Sequence, residues 1–596
     1  MHMNKNIARL AVTAGLTAAL SFGGVMAPVT MAFAEGTPTV AQSGNVTITD
    51  STYTDTTFKG IQIFKATVTQ DKKDNAWNGD KTLSDIEWAG GENGSVKNAV
   101  IHAFDKVAAG SKPTDLPNDN SAQAWAKFIK DHGSEVVDDN VKAGSVLDMI
   151  ARALETQTWT DAKRGTVGTF EGIDAGYWLF ETKSVGKTTG ADGNEDAYTS
   201  PIFTIVGGGD VNARPKKDVP NVTKAVKDDA EDGAFGDDVF AKPNMSADSR
   251  MDQFIEYQLA GKVASNINSY STYTYSFTDS LPDSMTVECG EGNSPVVAVK
   301  IDGKSVKADP TNGYTASYSD NNLTVNFKDL KSCVDETGQA ISVNGSSTVT
   351  VEYKAKLDSA KIFDNNGNIR DGFQGLVGKA QTNTVKLTYS NNPHKTDDTG
   401  TTVTHPAYDY TYGIDVTKVG SDKDGDGNPK KLEGVEFTLQ EIVNGTAQNQ
   451  YIDAQGVKHS DAKDATLKTT NEGKINVVGL DEGTYILKEV KPAPGYNNSA
   501  ASGVTFTIAS DSLPTNGDSF TPSCTLAEGT DKNLVQVTNA TDGKVHLTVT
   551  DQKGSGLPLT GLNGVTFTWI AGGAVLCIGV AHLIRSRKQA EESEQE

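Results

Sequence analysis

An apolar run from Val565 to Ile584, followed at once by Arg585, Arg587 and Lys588, restricts this chain more than any other feature. A run of that length is about enough to cross the hydrocarbon of a bilayer as a helix, and basic residues keep the end they flank in the cytoplasm. The body that precedes it is therefore expected outside the membrane. The other end agrees. Lys5 and Arg9 precede an apolar stretch from Leu10 to about Val29 and then Ala32-Phe33-Ala34. Charge, apolar core and small-residue cleavage site in that order predict a secretory signal peptide over 1–34, with the mature chain beginning near Glu35.

What folds outside is long and acidic. The 596 residues leave room for three or four domains, and a charged fraction of 22% with many Gly, Thr, Val and Asn suits antiparallel β structure. A net charge of −23 disfavours nucleic acid and anionic surfaces as partners. The four cysteines are Cys289, Cys333, Cys524 and Cys577, the last inside the apolar run. Export allows Cys289 and Cys333 to pair, but a dense disulfide framework is absent, so stability has to come from elsewhere.

The pattern along the chain divides it. From 35 to 214 strands are interrupted by helical stretches at Ser121 to His132 and Val141 to Glu155. Gly207-Gly208-Gly209 and the Pro215 to Pro220 stretch mark a flexible, solvated linker. A second unit follows over 215–407 and a third over 408–553, before the C-terminal segment 554–596. Ile414 to Val419 and Val545 to Val549 alternate with a period of two, the mark of half-buried strands. Short strands separated by turns predict a mainly β protein of tandem immunoglobulin-like sandwiches.

Leu557-Pro558-Leu559-Thr560-Gly561, standing before the apolar run and its basic tail, resembles the LPxTG sorting signal of Gram-positive surface proteins. The resemblance implies that a sortase cuts after Thr560, holds its carbonyl as a thioester until an amine attacks, and discards the tail. Tyr485-Ile486-Leu487-Lys488-Glu489, followed by Pro492-Ala493-Pro494-Gly495-Tyr496, resembles the E-box YxLxExxAPxGY of B-type collagen-adhesin domains, with the Ala-Pro step displaced by one residue.

Side chains two apart on a strand share a face. Tyr485 and Leu487 therefore carry Glu489 to the buried side, Ile414 and Val416 carry Lys418, and Leu547 and Val549 carry Asp551. Burial raises carboxyl pKa values and lowers that of an amine. A neutral amine can then attack a carboxyl or amide carbon that a protonated acid polarises. The resemblance implies an isopeptide bond from Lys418 to Asp551 with Glu489 as its catalytic acid. Asn539, on one face with Val535 and Val537, is the competing acceptor.

In the second unit Lys224 lies between Val222 and Val226 on one face, Asp279 follows Tyr275 and Phe277, and Asn383 precedes Val385 and Leu387. These segments resemble the A-type adhesin domain, which implies a bond from Lys224 to Asn383 assisted by Asp279. Lys227 is the alternative nucleophile, on the opposite face.

The first unit contains a partial E-box, Tyr177-Trp178-Leu179-Phe180-Glu181. It ends in Asp210-Val211-Asn212-Ala213-Arg214-Pro215-Lys216-Lys217, which resembles the pilin motif VxVYPK followed by Asn. In that family the lysine resolves the thioester of the next subunit, a role that falls on Lys216 or, one residue on, Lys217. Arg214 replaces the motif's Tyr, and Lys217 replaces the Asn that usually accepts a bond in the first domain.

Asp422, Asp424, Asp426, Gly427 and Glu433 fit the EF-hand spacing, but the flanks read as strands and Pro429, Lys423, Lys430 and Lys431 intervene. A solvated turn is expected, and no metal or cofactor is assigned. No nucleotide-binding, metalloprotease or nucleophile-elbow motif occurs. Taken together, the resemblance implies a non-enzymatic backbone subunit of a covalent surface pilus, anchored to the cell wall. Its implied partners are further copies of itself, a pilin-specific sortase, a minor or tip pilin, peptidoglycan and a host receptor or matrix. A singly anchored adhesin that never polymerises is the alternative.

Overall fold

The computed structural model describes residues 37–554, apart from 109, 138, 164–167, 187–192, 229–234, 236–238, 511 and 540–542. The expected signal peptide and the sorting pentapeptide with its apolar tail lie outside these residues. No helix among the described residues is long and apolar enough to cross a membrane.

The protein is mainly β, and its apolar residues gather into cores that follow one another along the chain. In the first stretch, Thr57–Lys73 pairs with Gly176–Ser184 through its first half and with Thr37–Ala41 through its second, and Ile202–Val206 continues the sheet beyond Gly176–Ser184. A smaller sheet places Ser43–Ile48 between Val211–Ala213 and Thr169–Asp174. Helices Ala122–Asp131 and Val146–Leu154 cover this region, each begun by a serine whose hydroxyl accepts a backbone N–H of the first turn. They fall within the expected helical stretches, although Val141 belongs to a short strand instead. A third helix, Ser95–His102, was not apparent from the sequence.

The second stretch is a sandwich. One sheet orders Val222–Lys227, Ile255–Lys262, Thr348–Leu357 and Val297–Ile301; the facing sheet orders His405–Tyr410, Gln381–Ser390, Tyr275–Ser280 and Asn322–Phe327. The third stretch repeats the plan. Tyr412–Lys423 and Lys544–Asp551 run parallel in one sheet, while Glu436–Val443, Gly483–Lys491 and Val504–Ala509 form the other. Inward residues alternate with outward ones, as in Lys544–Asp551, where Val545, Leu547, Val549 and Asp551 are buried.

Cys289 and Cys333 are separate thiols. Cys289 forms an isolated backbone bridge with Pro295, while Cys333 is buried with its sulfur 3.9 Å from the Gly313 carbonyl. The pairing allowed by export does not form.

Candidate cross-link sites

The third domain brings Lys418, Glu489 and Asp551 together. Each reaches the core by the alternation of its strand, and all three side chains are fully excluded from solvent. The Lys418 Nζ lies 2.9 Å from Glu489 Oε2 and 2.6 Å from Asp551 Oδ1, with the Phe437 ring 5.6 Å away. Burial pushes the Glu489 carboxyl up to about 7, against the pull of the Lys418 ammonium and with help from Asp551. The other oxygens, Glu489 Oε1 and Asp551 Oδ2, accept no hydrogen bond from the described residues. Asn539 pairs with Val545, which is level with Ile414, four residues along the strand from Lys418. At roughly 3.3 Å per residue that offsets it by about 13 Å along the strand, and it lies two strands across as well, so Asp551 is the acceptor beside the amine.

The second domain builds a related cluster with a different polar set. Lys224 donates to Asp279, and its Nζ also lies 3.0 Å from the Tyr353 hydroxyl. That hydroxyl donates to Asp279 and accepts from Asn383 Nδ2 at 2.7 Å. Burial lowers the Lys224 amine to about 8, with Asp279 opposing, and raises the Asp279 carboxyl. The Tyr257 and Tyr353 rings flank the amine at 5.1 and 5.4 Å. Tyr353 is the functional residue that sequence reasoning missed. It matches no motif position, and only the pairing of Thr348–Leu357 with Ile255–Lys262 carries it to the site. Lys227 points away, to Glu256 at 3.2 Å.

Both clusters combine a buried amine, a carboxyl that keeps its proton more readily than usual, and a carbonyl carbon within reach. Such a set can condense. The domain that holds the first cluster also has a sequence counterpart.

Residues 414–522 match the SpaA prealbumin-like fold domain.

The SpaA domain match takes in Lys418 and Glu489 and stops short of the strand carrying Asp551. No curated protein matches the chain. Among solved structures, the T6 backbone pilin of serotype M6 Streptococcus pyogenes aligns over 87% of this chain and 99% of its own at 15% identity, with a TM-score of 0.46. The major pilin SpaD of Corynebacterium diphtheriae aligns over 86% and 98% at 15% identity, TM-score 0.38. BcpA, the major pilin subunit of Bacillus cereus, aligns over 67% and 93% at 17% identity, TM-score 0.35.

Ahead of the SpaA domain, the segment expected to be a mobile linker is strapped down. Gly208 adopts a left-handed φ of 72°, and the N–H and carbonyl of Gly209 bond Gln70 and Lys81 at 2.8 and 2.7 Å. Pro215 lacks only its own N–H, so Lys216 still forms an antiparallel bridge with Ser200 and donates its N–H to Thr199 Oγ1 at 2.7 Å. The Lys216 side chain is half-buried, and desolvation lowers its amine pKa against the pull of Asp139. Lys217 is buried between two aspartates.

Glu181 of the partial E-box stands opposite Lys59 in register, 3.5 Å from its amine. Glu155 and His394 complete the group, with Lys59 at 2.7 Å and His394 at 3.1 Å from Glu155. Glu155, Glu181 and His394 bring three metal-capable groups together, and the Lys59 ammonium supplies the positive charge among them. Within the SpaA domain, the acidic loop after Tyr412–Lys423 is a turn: Asp424 Oδ1 accepts the N–H groups of Asp426 and Asn428, and Asp422 bonds Tyr496 and Lys553.

Proposed function

We propose that this chain is the backbone subunit of a covalent surface pilus, stiffened by self-formed isopeptide bonds in its second and third domains. The observation that carries the reading is the buried Lys418–Glu489–Asp551 cluster within a SpaA-type domain, on a chain whose C-terminal segment has the order of a sorting signal. A sortase cleaves after Thr560, and the thioester at its carbonyl passes to the Lys216 amine of the next copy. The last subunit passes to peptidoglycan. Each transfer conserves one acyl bond, so the shaft lengthens without an external energy source. The chemistry of Glu489 and Asp279 is turned inward and each site reacts once, so the chain is not an enzyme.

Lys216 suits the role because it is half-buried rather than enclosed and its amine deprotonates more readily than a free lysine. The test is the ladder of SDS- and heat-resistant multimers in wall extracts. Lys216→Ala is expected to abolish the ladder while the monomer is still secreted and anchored. A ladder that persists in Lys216→Ala and is lost only in Lys217→Ala moves the role to Lys217. A chain that is wall-anchored but never laddered is a singly anchored adhesin, and the pilus reading fails.

A further inference from the structure

The first domain contains a third buried lysine flanked by two carboxylates: Lys217, at the Asn position of the pilin-like motif, and two aspartates that belong to neither E-box nor pilin motif. The Lys217 Nζ lies 2.6 Å from Asp50 Oδ2 and 2.5 Å from Asp196 Oδ1, with the three side chains 6%, 7% and 0% exposed. The Tyr53 ring closes over the amine at 4.9 Å. This is the composition of the Lys418 cluster: one amine, two acids and an aromatic ring.

The strand arrangement is also the same, with the partners exchanged. In the third domain the first strand carries the lysine and runs parallel to the last strand, which carries the acid, with Gly420 level with Asp551. In the first domain Val211–Ala213 runs parallel to Ser43–Ile48, with Ala213 level with Ile48. Asp50 lies just beyond the early strand and Lys217 just beyond the late one. The Asp50 carboxylate is already aimed, since its Oδ1 accepts the N–H groups of Thr52 and Tyr53 at 3.0 and 2.9 Å. Among the described residues its Oδ2 accepts no other hydrogen bond and faces the amine. Asp196 is enclosed, fixed by Thr56 Oγ1 and the Ala197 N–H, and desolvation raises its carboxyl pKa.

We propose that Lys217 condenses with Asp50 to form an isopeptide bond that closes the first domain, with Asp196 as the acid that carries protons between them. In this step the Nζ–Cγ bond forms and the Cγ–Oδ2 bond breaks. Two protons of the ammonium leave with Oδ2 as water, passing through the Asp196 carboxyl, so no co-reactant is needed. The donor and acceptor strands are exchanged relative to the third domain, so the loss of an Asn after the pilin-like lysine removes one acceptor while the replacing Lys217 becomes the donor. A bonded Lys217 leaves Lys216 as the free amine of the pair.

The inference rests on the reading that this chain condenses its own lysines with carboxyl or amide groups, and one experiment separates the two. The full exported chain is purified, digested and mapped by mass spectrometry. The Lys217 peptide is expected joined to the Asp50 peptide, lighter than their sum by one water, about 18 Da. The Lys418–Asp551 link in the same digest is the internal control. If it is present while Lys217 and Asp50 are recovered apart, or Lys217 is joined to Asp196, this inference is overturned and the wider reading stands. If both pairs are apart, both fail. Asp196→Asn keeps the hydrogen-bonding shape of the site and is expected to give a folded chain with Lys418 linked and Lys217 free. A complete Lys217–Asp50 link in that variant removes Asp196 from the step.

Discussion

Lys418 lies 2.6 Å from Asp551 although 133 residues separate them in the chain, because the first and last strands of the third domain run side by side and in parallel. An amine and a carboxyl that close, both enclosed by the core, are one condensation from an amide. The exported chain is therefore expected to be lighter than its sequence mass. The Asp551 bond releases water, about 18 Da, and the Asn383 bond releases ammonia, about 17 Da, on top of any loss from the first domain. Peptide mapping assigns each loss, and recovery of Lys224 and Lys418 as free amines rules out both bonds.

Glu489 is the group whose removal should stop the reaction without dismantling the domain. Its neighbours Tyr485 and Leu487 make the core contacts of the strand, while Glu489 meets Lys418 and accepts no other side-chain hydrogen bond. Glu489→Ala is expected to yield a folded third domain with Lys418 and Asp551 unlinked. Treating the bond as a disulfide-like closure of a loop of 133 residues gives a loss of about 5 kcal/mol. That loss is read as a lower unfolding midpoint and new protease sensitivity. Full linkage in the variant removes Glu489 from the chemistry.

Tyr353 bridges Asp279 and the amide nitrogen of Asn383, which would be the leaving group of the proposed second-domain bond. With Asp279 protonated both hydrogen bonds reverse, and the hydroxyl takes a proton from Asp279 while passing its own to departing ammonia. Tyr353→Phe deletes this relay and leaves Asn383 Nδ2 without its partner, a cost of about 1–3 kcal/mol in the unlinked domain. We expect the fraction linked, followed by mass after synthesis, to rise more slowly than in the parent. Asp279→Ala should abolish linkage altogether. Equal rates for Tyr353→Phe and the parent would leave the tyrosine a packing residue.

The alternation of apolar residues sufficed to place Lys224, Asp279, Asn383, Lys418, Glu489 and Asp551 on inward faces, since a strand's period fixes side-chain direction before any partner is known. Which inward residues meet depends on strand order and register, and that explains what was not legible. Tyr353 alternates correctly but belongs to no motif. Asp50 and Asp196 come from loops, where no period applies, and Lys217 is buried by what packs around it. The Gly207-Gly208-Gly209 stretch carries the composition of a mobile linker. Gln70 and Lys81, far away in the chain, hold it against the first domain.

The junction between the second and third domains should weaken as pH rises. Ser246–Asp248 pairs with His405–Tyr410, setting Asp248 level with Tyr410 and Asp409 level with Ala247. Desolvation pushes the Asp409 carboxyl up to about 8, with Ser249 bonding it at 2.8 Å. Desolvation and the adjacent Asp228 carboxyl push Asp248 to about 8 as well, with Tyr412 and Glu482 nearby. These folded-state values lie above the ordinary aspartate value of 3.8, so the folded chain holds protons that the unfolded chain has released. The stabilisation is therefore complete below about pH 4, declines as pH rises, and is gone above about 8. Asn reproduces the protonated acid at every pH. Asp409→Asn is expected to match the parent near pH 4 and to exceed it at pH 9 by on the order of 2–5 kcal/mol, read as a higher unfolding midpoint. If the parent's advantage or deficit against Asp409→Asn is the same at both pH values, the buried carboxyl does not titrate in this range and the junction is not pH-sensitive through it.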